Sequence, residues 1–166
     1  MILVCVGSSQ FPFDRLLRAV DTLPRREQLV VQHGPSDIRP SNARCVPYVP
    51  FERFTELVRE ARVVVTHGGV GSILVSLTNG KRPYVVPRLE AFGETVDDHQ
   101  VESARRFAEA GLVTLVEDPA ALGEALFSNG HVGAALPATS ARSPLVAELR
   151  DYLATRLGPP NRGPSA

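Results

Sequence analysis

The stretch VVVTHGGVGS, residues 63–72, decides the fold. A run of β-branched residues ends in Thr66 and His67, then breaks into Gly68, Gly69 and Gly71, followed by Ser72. Short, wholly apolar runs of this kind are strands buried on both faces, and such strands belong to parallel sheets covered by helices. The glycines predict a turn at which something can approach the backbone. SILVSLTNG reads as the helix that follows, with Gly80 as its C-terminal stop.

The alternation continues in both directions. MILVCV is a buried strand, and DRLLRAVDTL sets Leu16, Leu17, Val20 and Leu23 at helical spacing. QLVVQ is a second strand, stopped by His33, Gly34 and Pro35. RCVPYV is a weaker strand, which Pro47 confines to an edge or a strand end. ERFTELVREA places Phe54, Leu57, Val58 and Ala61 on one helical face. PYVVP is a strand, and DDHQVESARRFAEAG a helix with Asp97 and Asp98 as its acidic first turn and Gly111 at its end. LVTLV, PAALGEALF and PLVAELRDYLATRL complete the pattern as strand, helix and final helix. The expectation is an α/β, Rossmann-like, doubly wound parallel sheet in a single domain over residues 1–157. Residues 128–143 read as a loose connection and 158–166 as a disordered tail.

The 166 residues are 43% hydrophobic and 22% charged, the make-up of one globular domain. Eighteen basic and 18 acidic residues cancel, which gives no electrostatic case for nucleic acid. Cys5 and Cys45 each sit in apolar runs and read as core residues rather than a disulfide, in keeping with a reducing cytoplasm. The opening apolar run has no basic leader and is too short for a signal peptide or a membrane span.

Doubly wound sheets bind ligands at the carboxyl ends of their strands. That rule singles out the loop GSSQFPFD after the first strand and HGGVGS after the strand at 62–66. Both lead into helices, whose free N-terminal N–H groups and positive dipole end favour an anion. The same turn can also form with nothing bound. No Lys-Ser or Lys-Thr follows the glycines, so this is not a Walker loop, and the G-x-G-x-x-G spacing of a dinucleotide fingerprint is absent. His67 at the strand tip can donate a hydrogen bond to a phosphate oxygen, or it can simply cap the turn. Arg88, after the PYVVP strand, stands at the same edge and could reach a phosphate. Lys81 and Arg82 fall at the far end of the helix and read as surface or dipole-complementing charges. The four histidines are far apart, and no His or Cys pair has ligand spacing, so no metal site is expected.

Four segments in order, VGSSQFPFDRLLRAVD, VVVTHGGVGSI, GKRPYVVPR and VDDHQVESARRFAEAG, carry a resemblance across about residues 1–127. The chain resembles family-28-type glycosyltransferases of GT-B architecture, in the split form whose C-terminal, donor-binding half is a separate subunit. It looks like bacterial exopolysaccharide glycosyltransferase subunits and the small subunit of the eukaryotic dolichol-chitobiose N-acetylglucosaminyltransferase. The resemblance implies that Gly7, Ser8 and Ser9 lie beside the nucleotide and its phosphates. It implies that His67, Gly68, Gly69, Gly71 and Ser72 cradle the diphosphate of a UDP-sugar, with His67 the catalytic residue that stabilises the leaving group. His99 and Gln100 match the place where side chains reach the sugar hydroxyls; an amide suits this because it both donates and accepts.

One position departs from the pattern. Family members carry a carboxylate for the ribose hydroxyls on the helix after the glycine loop, whereas Val75 stands there in this chain. Glu90, Glu94 or a partner residue are the candidate substitutes. The implied function is inverting transfer of a hexosyl or N-acetylhexosaminyl group from a UDP-sugar to a lipid-linked glycan acceptor, with no cofactor beyond the donor. The acceptor site and general base would reside in a membrane-associated partner that recruits the chain to the cytoplasmic face, and the chain alone could self-associate. A non-catalytic nucleotide-sugar-binding regulatory subunit is the alternative that Val75 raises. An α/β nucleotide-binding domain unrelated to sugars is a third.

Overall fold

The computed structural model describes residues 1–127; the expected final helix, the connection at 128–143 and the tail lie outside the described residues. The chain runs β1 (Ile2–Cys5), α1 (Asp14–Asp21), β2 (Leu29–Gln32), β3 (Arg44–Val46), α2 (Phe51–Glu60), β4 (Val63–His67), α3 (Val70–Thr78), β5 (Tyr84–Val86), α4 (His99–Glu109), β6 (Thr114–Leu115) and α5 (Leu122–Phe127). The strands form one six-stranded sheet in the order β3-β2-β1-β4-β5-β6. Every pair is parallel. This is the expected doubly wound sheet.

Strand alternation divides the core between two faces. Ile2, Val4, Val63, Val65, Tyr84 and Val86 point to one face, where Leu16, Leu17 and Val20 of α1 and Leu122 and Leu126 of α5 cover them. On the other face Leu3, Cys5, Val30 and Val64 meet Phe54, Leu57 and Val58 of α2. Beside them Val85 packs with Ile73 of α3 and Ala104 and Phe107 of α4. Each of these aliphatic and aromatic side chains contributes roughly 1.5–3 kcal/mol when fully buried. Because β1, β2, β4 and β5 are covered on both sides, their sequences are continuous apolar runs rather than alternating ones.

Several local expectations are sharpened. β3 is the edge strand that Pro47 required. No helix connects β2 to β3; Gly34, at φ 58°, turns the chain, and Ser36 accepts the Phe13 N–H at 2.8 Å. Gly80 closes α3 and Gly111 closes α4, both at φ 72°. Asp97 and Asp98 are not the first turn of α4. The helix starts at His99, and the two carboxylates accept the N–H groups of His99 (3.1 Å) and Glu90 (2.9 Å), fixing the preceding loop. Lys81 donates to the Ala61 carbonyl at 2.6 Å, at the end of α2, and Arg82 to the Val113 carbonyl at 3.2 Å, just before β6, so both bind neighbouring scaffold segments rather than the end of α3.

Candidate functional site

Strand order reverses between β1 and β4, the switch point at which a doubly wound sheet opens a crevice. Register pairs Cys5 with Thr66, so the loops leaving β1 and β4 emerge side by side. Gly7 and His67 meet there. A methyl group on Gly7 would lie 2.6 Å from His67 Nε2, and one on Gly69 would lie 2.8 Å from His67 Cδ2. The imidazole therefore sits in a slot whose two walls must be glycine. Gly7 adds a second requirement, since its φ of 82° disfavours any side chain.

The remaining glycines have different reasons. Neither Gly68, Gly69 nor Gly71 takes a positive φ, so the loop is not a left-handed turn. A Cβ on Gly68 would meet Gln100 Cβ at 2.8 Å, which ties the strand tip to α4. Gly71 lies in the first turn of α3, one residue after its start, with open space around its Cα. The helix thus begins at Val70 rather than at Ser72. Its N-cap residue is Gly69, and no side chain caps it, so its first N–H groups are left to face the crevice.

Burial, and after it the charge of Arg88, push His67 down to about 4, so the ring is neutral near pH 7 and keeps one N–H to give. Beneath it Cys5 is buried, and burial pushes its thiol up to about 11, leaving it protonated and inert. Cys5 and Cys45 are both free thiols.

The first-strand loop is held by a residue that the sequence reading passed over. Gln32 is buried; its Oε1 accepts the Gly7 N–H at 3.1 Å and the Cys5 thiol at 3.1 Å. Its Nε2 donates to the Gly7 carbonyl at 3.0 Å and the Pro47 carbonyl at 2.8 Å. A glutamine ending an otherwise apolar strand was the available signal. Ser9 stabilises its own loop by accepting the Phe11 N–H at 3.2 Å, and Ser8 is exposed. Ser72 is half-buried on the first turn of α3.

Arg88 does not face a ligand. It is fully buried, Nη1 donates to the carbonyls of Glu94 (2.8 Å), Phe11 (3.0 Å) and Pro12 (3.2 Å), and Nη2 donates to Val6 (2.8 Å). The expectation that it could reach a phosphate is corrected accordingly. Gln100 Oε1 accepts the Arg88 N–H at 3.4 Å, which leaves the NH2 group of the amide to donate elsewhere. His99 is 84% exposed in its side chain at the start of α4, with Nε2 3.8 Å from Asp97 Oδ2.

Val75 packs against the cluster formed by α2 and the sheet. Glu94 cannot take the missing carboxylate's role, because it is buried and bound by Arg15 at 2.9 and 3.0 Å and by the Leu89 N–H. Glu90 remains exposed on the loop after β5. Among the described residues no group of three His, Cys, Asp or Glu side chains is placed to hold a metal ion.

The chain is similar in fold to several solved glycosyltransferases. The calicheamicin glycosyltransferase CalG4 aligns at 21% identity with a TM-score of 0.59, covering 95% of this chain and 44% of that one. The spinosyn forosaminyltransferase SpnP aligns at 20% identity and 0.55, covering 92% and 43%. MurG of Acinetobacter baumannii aligns at 20% and 0.53, covering 76% and 40%. The chain thus spans less than half the length of each. No curated protein matches it in sequence. The glycosyltransferase family 28 C-terminal domain model matches residues 1–135, and the chain belongs to that family.

Proposed function

We propose that this chain is the donor-binding half of a two-part inverting glycosyltransferase that moves a sugar from UDP to a lipid-linked acceptor. The observation that carries the reading is the neutral His67, clamped between Gly7 and Gly69 beside the uncapped start of α3, in a domain of this family. The N–H groups of the first α3 turn and the His67 ring would take the diphosphate oxygens, with Ser72 adding a hydroxyl. The amide NH2 of Gln100 would donate to a sugar hydroxyl.

In the reaction an acceptor hydroxyl attacks the anomeric carbon as the bond to the diphosphate oxygen breaks. Negative charge grows on the leaving diphosphate. Fixed N–H donors placed before the reaction stabilise that charge without having to reorganise. The acceptor proton passes to a base on the partner lobe.

Support for a partner comes from the surface. Tyr48, Phe51, Val70, Phe92 and Val96, the large apolar residues exposed among the described residues, all lie at the carboxyl edge of the sheet. Tyr48 follows β3, Phe51 and Val70 open α2 and α3, and Phe92 and Val96 lie between β5 and α4. Apolar surface gathered on one edge suits a protein interface. No helix among the described residues is long and apolar enough to cross a membrane, so in this reading the partner brings the chain to the cytoplasmic face.

The test is transfer from labelled UDP-sugars by the chain alone and with its membrane partner. Transfer only in the combined sample is expected. Val75 favours one other reading, a regulatory nucleotide-sugar-binding subunit, and donor binding without transfer in the combined sample would select it.

A further inference from the structure

We propose that Arg88 is a positioning residue. Its guanidinium ties the loop after β1 to the loop after β5 and holds an unneutralised positive charge behind His67, so that the edge is charged for a diphosphate before one binds. The binding part of this proposal rests on the donor-site reading above.

The geometry begins with burial. Among the described residues Arg88 is the largest side chain buried completely, and its guanidinium carbon lies 4.7 Å from the centroid of the Phe13 ring. Its four carbonyl acceptors come from two segments: Val6, Phe11 and Pro12 after β1, and Glu94 after β5. One side chain therefore sets the spacing of the two loops that flank the crevice. Its Nε has no hydrogen-bond partner among the described residues.

The charge balance is unusual. A buried guanidinium is normally paired with a carboxylate, because an isolated buried charge is costly. Here the nearest acid is not used that way. Glu94 gives Arg88 only its backbone carbonyl and spends its carboxylate on Arg15, through Nε at 3.0 Å and Nη2 at 2.9 Å. Arg15, Glu94 and Arg88 together thus carry one net positive charge. Burial depresses Arg88 itself and the nearby Glu94 charge opposes this only in part, as expected for a cation whose direct hydrogen bonds all go to neutral carbonyls.

The charge acts on His67, since Arg88 is the charged group that opposes protonation of that ring, after burial. The other groups at His67 are uncharged: the Thr66 hydroxyl, 3.4 Å from Nδ1, the Cys5 backbone, and the glycines Gly7 and Gly69 that wall the ring. Of the four acids of the β5–α4 loop, Glu94 turns to Arg15, Asp97 and Asp98 accept backbone N–H groups, and Glu90 is exposed. A fixed cation with no anion of its own, beneath a loop that ends at an uncapped helix start, favours an incoming anion and repels a proton.

The experiment compares wild type with Arg88→Met and Arg88→Lys, using histidine NMR titration and calorimetric binding of UDP and uridine. In Arg88→Met the His67 ring is expected to protonate at a pH higher by about half a unit to one unit. UDP is expected to bind ~10-fold more weakly in that variant, and uridine within ~2-fold of wild type, because only UDP carries the charge that Arg88 attracts. Arg88→Lys keeps the charge and loses most of the four-carbonyl grip, so the His67 titration should stay at the wild-type position. A purely structural Arg88 would leave the His67 titration unmoved in a folded Arg88→Met protein, or weaken UDP and uridine equally; either result overturns the proposal. If Arg88→Met does not fold, Arg88→Lys decides: a His67 titration that rises in a folded Arg88→Lys protein contradicts a charge effect. Failure of wild type to bind UDP would sink the donor-site reading and the binding claim, while the titration still judges the charge on His67.

Discussion

At the scale of the residue, the slot around His67 makes the glycines of the site separable by experiment. Gly7→Ala and Gly69→Ala push a methyl group into the imidazole, 2.6 Å from Nε2 and 2.8 Å from Cδ2 respectively. Overpacking of this kind costs about 1–3 kcal/mol, and the positive φ of Gly7 adds to its share. Urea denaturation should show both losses. Gly71→Ala has open space and sits in a helical turn, so its stability should hold or rise by up to about 1 kcal/mol. The same methyl group stands over the crevice and should weaken diphosphate binding. His67 also sets a pH dependence. The unfolded ring titrates near 6.5 and the folded one at about 4, so between these values the unfolded state binds more protons. Stability is then fully present above about 6.5 and is lost as pH falls towards 4, by on the order of 3 kcal/mol. Burial holds His33 below its usual range too, so it adds a loss of the same sign. Unfolding at pH 7 and pH 5 should show this loss in wild type and a smaller one in His67→Asn.

At the scale of the element, the strands and most helices were legible because burial on two faces writes itself as unbroken apolar runs. β4 and α3 are the clearest case: VVVTH is strand to its last residue, and Gly80 ends the helix as expected. Boundaries were less legible. α3 takes in Val70 and Gly71 because a glycine within a helix costs only about 1 kcal/mol and the open crevice imposes no competing structure. The Asp97 and Asp98 side chains satisfy loop N–H groups, and the sequence carries no sign of which backbone group a carboxylate will take. Gln32 and Arg88 were hidden for a related reason. Their roles depend on pairing across 25 and 82 residues of chain, with Gly7 and Val6, and local spacing does not encode such partners. Gln32→Leu tests the first of these. It strips hydrogen bonds from both backbone groups of Gly7 and should cost about 2–3 kcal/mol, read as a fall in melting temperature.

At the scale of the whole molecule, the described residues form one lobe with an apolar edge that lies open around the candidate site. Phe51→Ser and Val70→Ser should leave the melting temperature within a few degrees of wild type, because 65% and 45% of these residues is already exposed. Both should weaken association with the proposed partner lobe in a pull-down, and equivalent changes on α2 away from that edge should not. The central claim is that the edge between β1 and β4 holds a nucleoside diphosphate. Calorimetric titration of UDP into wild type and His67→Ala tests it most directly. Saturable binding by wild type, weakened ~10-fold or more in a folded His67→Ala protein through loss of a hydrogen bond to a charged group, is the predicted result. No saturable binding of UDP, or the same affinity in both proteins, would contradict it.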